Sequence, residues 1–151
     1  MSEQYLGNPN LKKANTTVEF TEEQIIEFVK CKEDPVYFAN NYIKIVSLDE
    51  GLTQFHPYHF QEKLINNFHA NRFNICKMPR QTGKSTTVIS YLLHYAVFND
   101  SVNIGILANK AATARELLSR LQTAYENLPK WMQQGIISVS YTHLTLPTTP
   151  Y

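Results

Sequence analysis

Apolar residues recur at helical spacing through most of this chain, and gather into short, mostly apolar runs in two places. Met1 to Glu19 is polar and rich in Asn and Thr, so residues 1–20 are expected to form a flexible arm. Thr21-Glu22-Glu23-Gln24 has the spacing of a capping box opening a helix, with Ile25, Ile26 and Val29 as its apolar side. Asp34-Pro35 predicts a second helix start, with Asp as cap and Pro at the first helical position. Val36, Phe38, Ala39, Tyr42 and Ile43 follow at nearly helical spacing. Ile43 to Val46 and Leu52 to Phe55 flank Asp49-Glu50-Gly51 and predict a hairpin, which completes a subregion over residues 21–55. Pro57 then opens a helix whose Phe60, Leu64, Ile65 and Phe68 fall on one face.

The second half is the most regular. Arg72 to Lys77 reads as a strand, Thr86 to Phe98 as a helix, and Val102 to Ala108 as a strand buried on both faces. Thr113 and Glu116 then cap a helix reaching about Asn127, with Leu117, Leu118, Leu121 and Tyr125 inward. Strand, helix, strand, helix implies parallel pairing with a right-handed crossover, within a domain over residues 56–137.

Composition adds limits. The chain has 151 residues, 43% hydrophobic and 18% charged, which suits one domain with a core or a piece of a larger one. The net charge of +1 goes with no basic stripe; Lys12-Lys13 and Lys30/Lys32 read as solvated surface. Cys31 and Cys76 read as free thiols in a reducing compartment, Cys76 inside the buried strand. No apolar run approaches the ~20 residues that span a bilayer. The N-terminus carries no signal pattern, so a cytoplasmic protein with no membrane partner is expected. From Trp131 to Tyr151 there is no Lys, Arg, Asp or Glu, where about four would be expected.

The chemistry gathers between the two predicted strands. Met78-Pro79-Arg80-Gln81-Thr82-Gly83-Lys84-Ser85 joins a strand to a helix as a phosphate-binding loop does. Such a loop works because successive backbone N–H groups point into one concavity at the positive end of a helix. Gly83 would let the backbone approach a triphosphate, Lys84 would reach its β- and γ-phosphates, and Ser85 would place a hydroxyl on Mg²⁺. Thr86 either adds a hydroxyl near the α- or β-phosphate or packs on its own backbone. Arg80 is a second cation that senses the γ-phosphate, or a surface arginine paired with a carboxylate. Gln81 orients a water or bonds the loop backbone. The usual first glycine is replaced by Met78.

Upstream, Phe60-Gln61 puts an aromatic ring beside an amide that offers both donor and acceptor, as stacking on adenine and reading its edge would need. On apolar pattern alone, Phe60 belongs in the core and Gln61 in solvent. His56 and His59 lack the companions of a metal site and read as structural.

From roughly Asp34 to Ile136 the chain resembles the large terminase subunit of contractile-tailed bacteriophages. The likeness is carried by Asp34-Pro35-Val36-Tyr37-Phe38 with Asn41-Tyr42-Ile43-Lys44, by Phe60-Gln61, and by Arg80-Gln81-Thr82-Gly83-Lys84-Ser85. Gly105-Ile106-Leu107-Ala108-Asn109-Lys110 and Leu128-Pro129 through Gly135-Ile136 continue it. That family's deviant phosphate loop begins with Arg-Gln and lacks the first glycine, so Met78 agrees with it.

The resemblance implies ATP and Mg²⁺ as cofactors. Arg80 and Lys84 would act as catalytic cations on the triphosphate, Ser85 on Mg²⁺, and Phe60 with Gln61 on adenine, with Met78 to Thr86 as the ATP-binding loop. It also implies an ATPase motor that packages DNA. The partners would be double-stranded DNA, a portal ring, a small terminase subunit and the procapsid, with a homo-oligomeric ring in the parent protein. The place of action would be the host cytoplasm at the portal vertex.

The expected fold class is α/β, a P-loop NTPase (RecA/ASCE-like) parallel sheet with flanking helices. It would be incomplete and preceded by a small, mostly helical N-terminal region. An ATPase of this kind also needs a carboxylate at a strand end to hold Mg²⁺ and usually a second to activate water. After Lys84 the acids are Asp100, Glu116 and Glu126, and none ends an apolar strand. The family's nuclease domain is not represented either, so the chain is expected to bind nucleotide weakly without turning it over. Ser140 to Tyr151 resembles a translated sequencing adapter, and residues 138–151 are expected to be non-native, or else a true C-terminus of a divergent short protein. A helicase-like P-loop ATPase and a non-catalytic nucleotide-binding fragment are the alternative readings.

Overall fold

Thr21 opens the first helix as its spacing predicts. Its hydroxyl accepts the Gln24 N–H (3.3 Å) while Gln24 Oε1 accepts the Thr21 N–H (3.2 Å), so two orphan donors are satisfied reciprocally. The structure, a computed structural model, describes residues 4–5, 8–12, 19–47, 51–100 and 102–133. The helix is α1 (Glu22–Glu33), and α2 (Pro35–Tyr42) follows at once. Asp34 separates them, its carboxylate accepting from the N–H groups of Val36 (2.8 Å) and Tyr37 (3.0 Å). Strands β1 (Gln4–Tyr5) and β2 (Asn8–Lys12) form an antiparallel pair near the start of the chain. A second antiparallel pair joins β3 (Lys44–Ser47) and β4 (Gly51–Gln54), with Ile45 opposite Thr53; the intervening turn lies outside the described residues. Then come α3 (His59–Ala70), α4 (Lys84–Phe98) and α5 (Ala111–Glu126).

The expected parallel sheet is not there. Residues 72–77 and 102–108 carry no strand, and the only ladders among the described residues are the two antiparallel pairs. The fold class is therefore mostly helical, not the α/β sheet of a P-loop NTPase. A parallel strand needs partners along its edges and helices over both its faces. Here α4 packs directly on α2, α3 and α5, so the helices bury their apolar faces against one another. Several apolar side chains of the two runs are left outside: Phe73, Ile75 and Leu107 are exposed, and so is Cys76. Strand propensity without a pairing partner does not make a strand.

One core joins the chain from Cys31 to Met132. Phe38, Ala39 and Ile43 from α2 and its C-cap meet Phe55, Ile65 of α3, Leu93 and Phe98 of α4, and Tyr125, Leu128 and Met132. Helix α1 contributes Cys31 and, part-buried, Phe28, whose ring meets Phe98 edge-on at 4.9 Å. Its expected apolar side, Ile25, Ile26 and Val29, faces solvent instead. The inward stripe is Gln24, Glu27, Phe28 and Cys31, because Glu27 accepts the hydroxyls of Tyr37 (2.9 Å) and Tyr42 (3.0 Å) from α2. Helix α5 begins at Ala111, with Lys110 as its N-cap, rather than at Thr113; Glu116 pairs with Arg120 one turn on.

His94 ties α4 to the end of α1. Its Nε2 lies 2.8 Å from the carbonyl of Cys31, one of the last four carbonyls of α1, which have no partner inside the helix. A carbonyl only accepts, so Nε2 carries the ring proton. Nδ1 is buried without a hydrogen-bond partner.

Candidate functional site

The loop that enters α4 is bent by two residues of positive φ, Gln81 (62°) and Gly83 (70°). Gly83 is the N-cap of α4 and lies in the left-handed region (φ 70°, ψ 18°), with no side chain capping the helix. The first N–H groups of α4 therefore lack both an intrahelical partner and a side-chain cap, at the positive end of a fifteen-residue helix.

Lys84 folds back over the loop, its ammonium donating to the carbonyl of Met78 (3.1 Å) and to that of Pro79. The Thr82 hydroxyl also donates to the Pro79 carbonyl (3.1 Å), which closes the turn. Thr87, buried one turn into α4, donates to the Gly83 carbonyl (3.0 Å). Arg80, Gln81 and Ser85 are exposed, and Thr86 is half-buried. No ion pair among the described residues involves Arg80.

Helix α3 reaches this loop through Gln61, and here the sequence pattern misleads. Gln61 is 3% exposed and Phe60 44%. The inward stripe of α3 is Gln61, Leu64, Ile65 and Phe68, and Phe60 lies beside it. Gln61 Oε1 accepts the Tyr58 N–H (2.8 Å) and Nε2 donates to the Thr82 carbonyl (3.1 Å). Phe60 stacks instead on Tyr58, with ring centroids 5.8 Å apart and planes 11° from parallel. Tyr58 escaped the sequence reading. Its place three residues before Gln61, just after Pro57, is the spacing of a helix cap, and that was the available signal.

The arrangement brings together Met78 to Thr86 and the start of α3. Among the described residues, no hydrogen bond or ion pair joins the loop to Asp100, Glu116 or Glu126. Asp100 follows the far end of α4, about 22 Å along the axis from Lys84. Glu116 is engaged by Arg120 on α5. His59 is exposed and lies 3.5 Å from Glu62, and His56 is exposed. Among the described residues no three His, Cys, Asp or Glu side chains converge. A single Ser85 hydroxyl suits Mg²⁺ only as one of six oxygens, with phosphate and water supplying the rest. An uncapped helix start, a left-handed glycine and an adjacent lysine suit a phosphate group.

A cleft of about 720 Å³ opens on another side, between the end of α3, the face of α4 with Tyr91 and Tyr95, and residues 103–105. No helix among the described residues is long and apolar enough to cross a membrane. Residues 138–151, with their adapter-like sequence, lie outside the described residues. No protein-family model matches the chain.

Proposed function

We propose that residues 78–86 form a triphosphate-binding loop and that the chain is an N-terminal portion of a phage large terminase subunit. The observation that supports nucleotide binding is the uncapped start of α4 behind a left-handed Gly83, with Lys84 beside it. A phosphate would draw the Lys84 ammonium from the Met78 and Pro79 carbonyls, since a charge-assisted bond to an anion is stronger than one to a neutral carbonyl. Arg80, exposed on the same loop, adds a second cation. Ser85 offers its hydroxyl to Mg²⁺, and Phe60 with Tyr58 offers a flat face for adenine.

The terminase reading rests on the likeness of the ordered segments from Asp34 to Ile136. It assigns to the parent protein ATP-driven packaging of double-stranded DNA through a portal ring. The procapsid and the small subunit would be its partners, and a homo-oligomeric ring at the portal vertex in the host cytoplasm its working form. The parent's nuclease lies outside this chain.

The helical setting of the loop favours binding without turnover for the chain itself, because among the described residues no strand adjoins the loop to deliver a carboxylate beside Lys84. Calorimetric titration with Mg-ATP tests the site. The full chain is expected to bind, and Lys84→Ala to weaken binding at least tenfold, as loss of a charged phosphate contact does. Binding that ignores Lys84 would rule the site out. Sustained hydrolysis that Lys84→Ala abolishes would rule out the non-catalytic part.

A further inference from the structure

We infer that Gln61 positions the phosphate-binding loop and does not read the nucleotide base. For its ligand this rests on the nucleotide-site reading above. An amide that reads adenine must present a donor and an acceptor to the ligand. Both ends of Gln61 are engaged elsewhere: Oε1 holds the Tyr58 N–H at 2.8 Å and Nε2 holds the Thr82 carbonyl at 3.1 Å. The side chain is buried, while the aromatic face of Tyr58 and Phe60 beside it is open. One N–H of Nε2 and one lone pair of Oε1 are left over, but the side chain is only 3% exposed, so reading a base would draw a buried amide to the surface.

The contact with the loop is close. A Cβ on Gly83 would lie 2.5 Å from Gln61 Nε2, so the glycine is what lets the amide approach the backbone. That approach has a direction. In a trans peptide the C=O of one residue and the N–H of the next point opposite ways. With the Thr82 carbonyl held toward α3, the Gly83 N–H is turned away from α3. Gln61 thus fixes the orientation of the peptide just before Lys84, and through its other end ties that peptide to the start of α3. Base selection is left to stacking on Phe60 and Tyr58, which accepts any purine.

The test uses the full chain and Gln61→Glu, which keeps the length of the side chain and the acceptor for the Tyr58 N–H but lacks the donor to Thr82. Affinities are measured for Mg-ATP, Mg-GTP and Mg-tripolyphosphate. Amide hydrogen exchange without ligand is followed over residues 79–86 and 89–98. The expected result is the same loss for all three ligands, about tenfold, with faster exchange over 79–86 and unchanged exchange over 89–98.

A loss confined to ATP would overturn the inference, because the amide would then be reading adenine. So would unaltered affinity with unaltered loop exchange. So would faster exchange throughout α4, which would make Gln61 a support of the fold at large. If the unaltered chain binds none of the three ligands, the nucleotide site falls, and loop exchange alone decides the role of Gln61. Should a buried carboxylate unfold the protein, Gln61→Met, uncharged and of similar length, removes both bonds at once and carries the comparison among the three ligands.

Discussion

His94 contributes a pH dependence that its place in the core makes calculable. Burial, opposed in part by the bond to the Cys31 carbonyl, pushes its pKa down from 6.5 to about 4, and His69 across from it, rings 6.0 Å apart, adds to the depression. Protonation would place a second N–H among Phe38, Tyr91 and Phe98, where Nδ1 has no acceptor. A pKa lower in the folded state means that the unfolded chain takes the proton first as the pH falls. The neutral imidazole therefore contributes its full stability above pH 6.5, and that stability is lost between 6.5 and 4. At 1.36 kcal/mol per pH unit the full loss is about 3 kcal/mol. Urea unfolding at pH 7.5 and pH 5 should show the decline, and His94→Asn should flatten it. Other single residues were readable without a fold. Lys84, Ser85 and Gly83 stand out by type and spacing, and Gly83 does take the left-handed conformation that favours glycine. Gln61 was not readable, because burial of a polar side chain depends on a partner 21 positions away, the Thr82 carbonyl.

At the scale of elements, caps fixed what the periodicity only outlined. Thr21 and Asp34 mark the starts of α1 and α2 by local chemistry, since a side-chain oxygen and an N–H two or three residues later need nothing else. Asp34→Ala should cost about 1 kcal/mol, read as a lower urea midpoint with an unchanged slope. Helix faces were less secure. Ile25, Ile26 and Val29 outweigh Gln24 and Glu27 in apolarity, yet α1 turns the polar pair inward, because two tyrosine hydroxyls of α2 bond Glu27. Phe60 and Gln61 exchanged places for the same kind of reason, a hydrogen bond formed only across elements. The two strands expected at 72–77 and 102–108 had the residues but, among the described residues, no strand to pair with. A strand is a property of a ladder, not of a segment.

Across the whole molecule, the core decides which parts are protected. Cys31 is fully buried and its thiol is pushed up to about 12, chiefly by burial and then by the nearby charge of Glu27. Cys76 lies exposed on the unpaired segment before the loop. A thiol reagent at pH 8 should therefore label Cys76 at once and Cys31 only at the rate of unfolding, as counted by intact mass. Rapid labelling of both would mean that the helical core does not hold.

The sequence by itself determined the helices, the caps of α1 and α2 and the identity of the loop residues, because each depends on groups a few positions apart. Tertiary structure alone decided that α4 packs among helices, that Gln61 rather than Phe60 faces inward, and that the segments on either side of α4 stay unpaired. Those outcomes depend on which distant backbone or side chain lies opposite. For a phosphate loop the difference is chemical: the cations and N–H groups lie on one local stretch, whereas a carboxylate to complete the site would have to arrive from elsewhere in the fold.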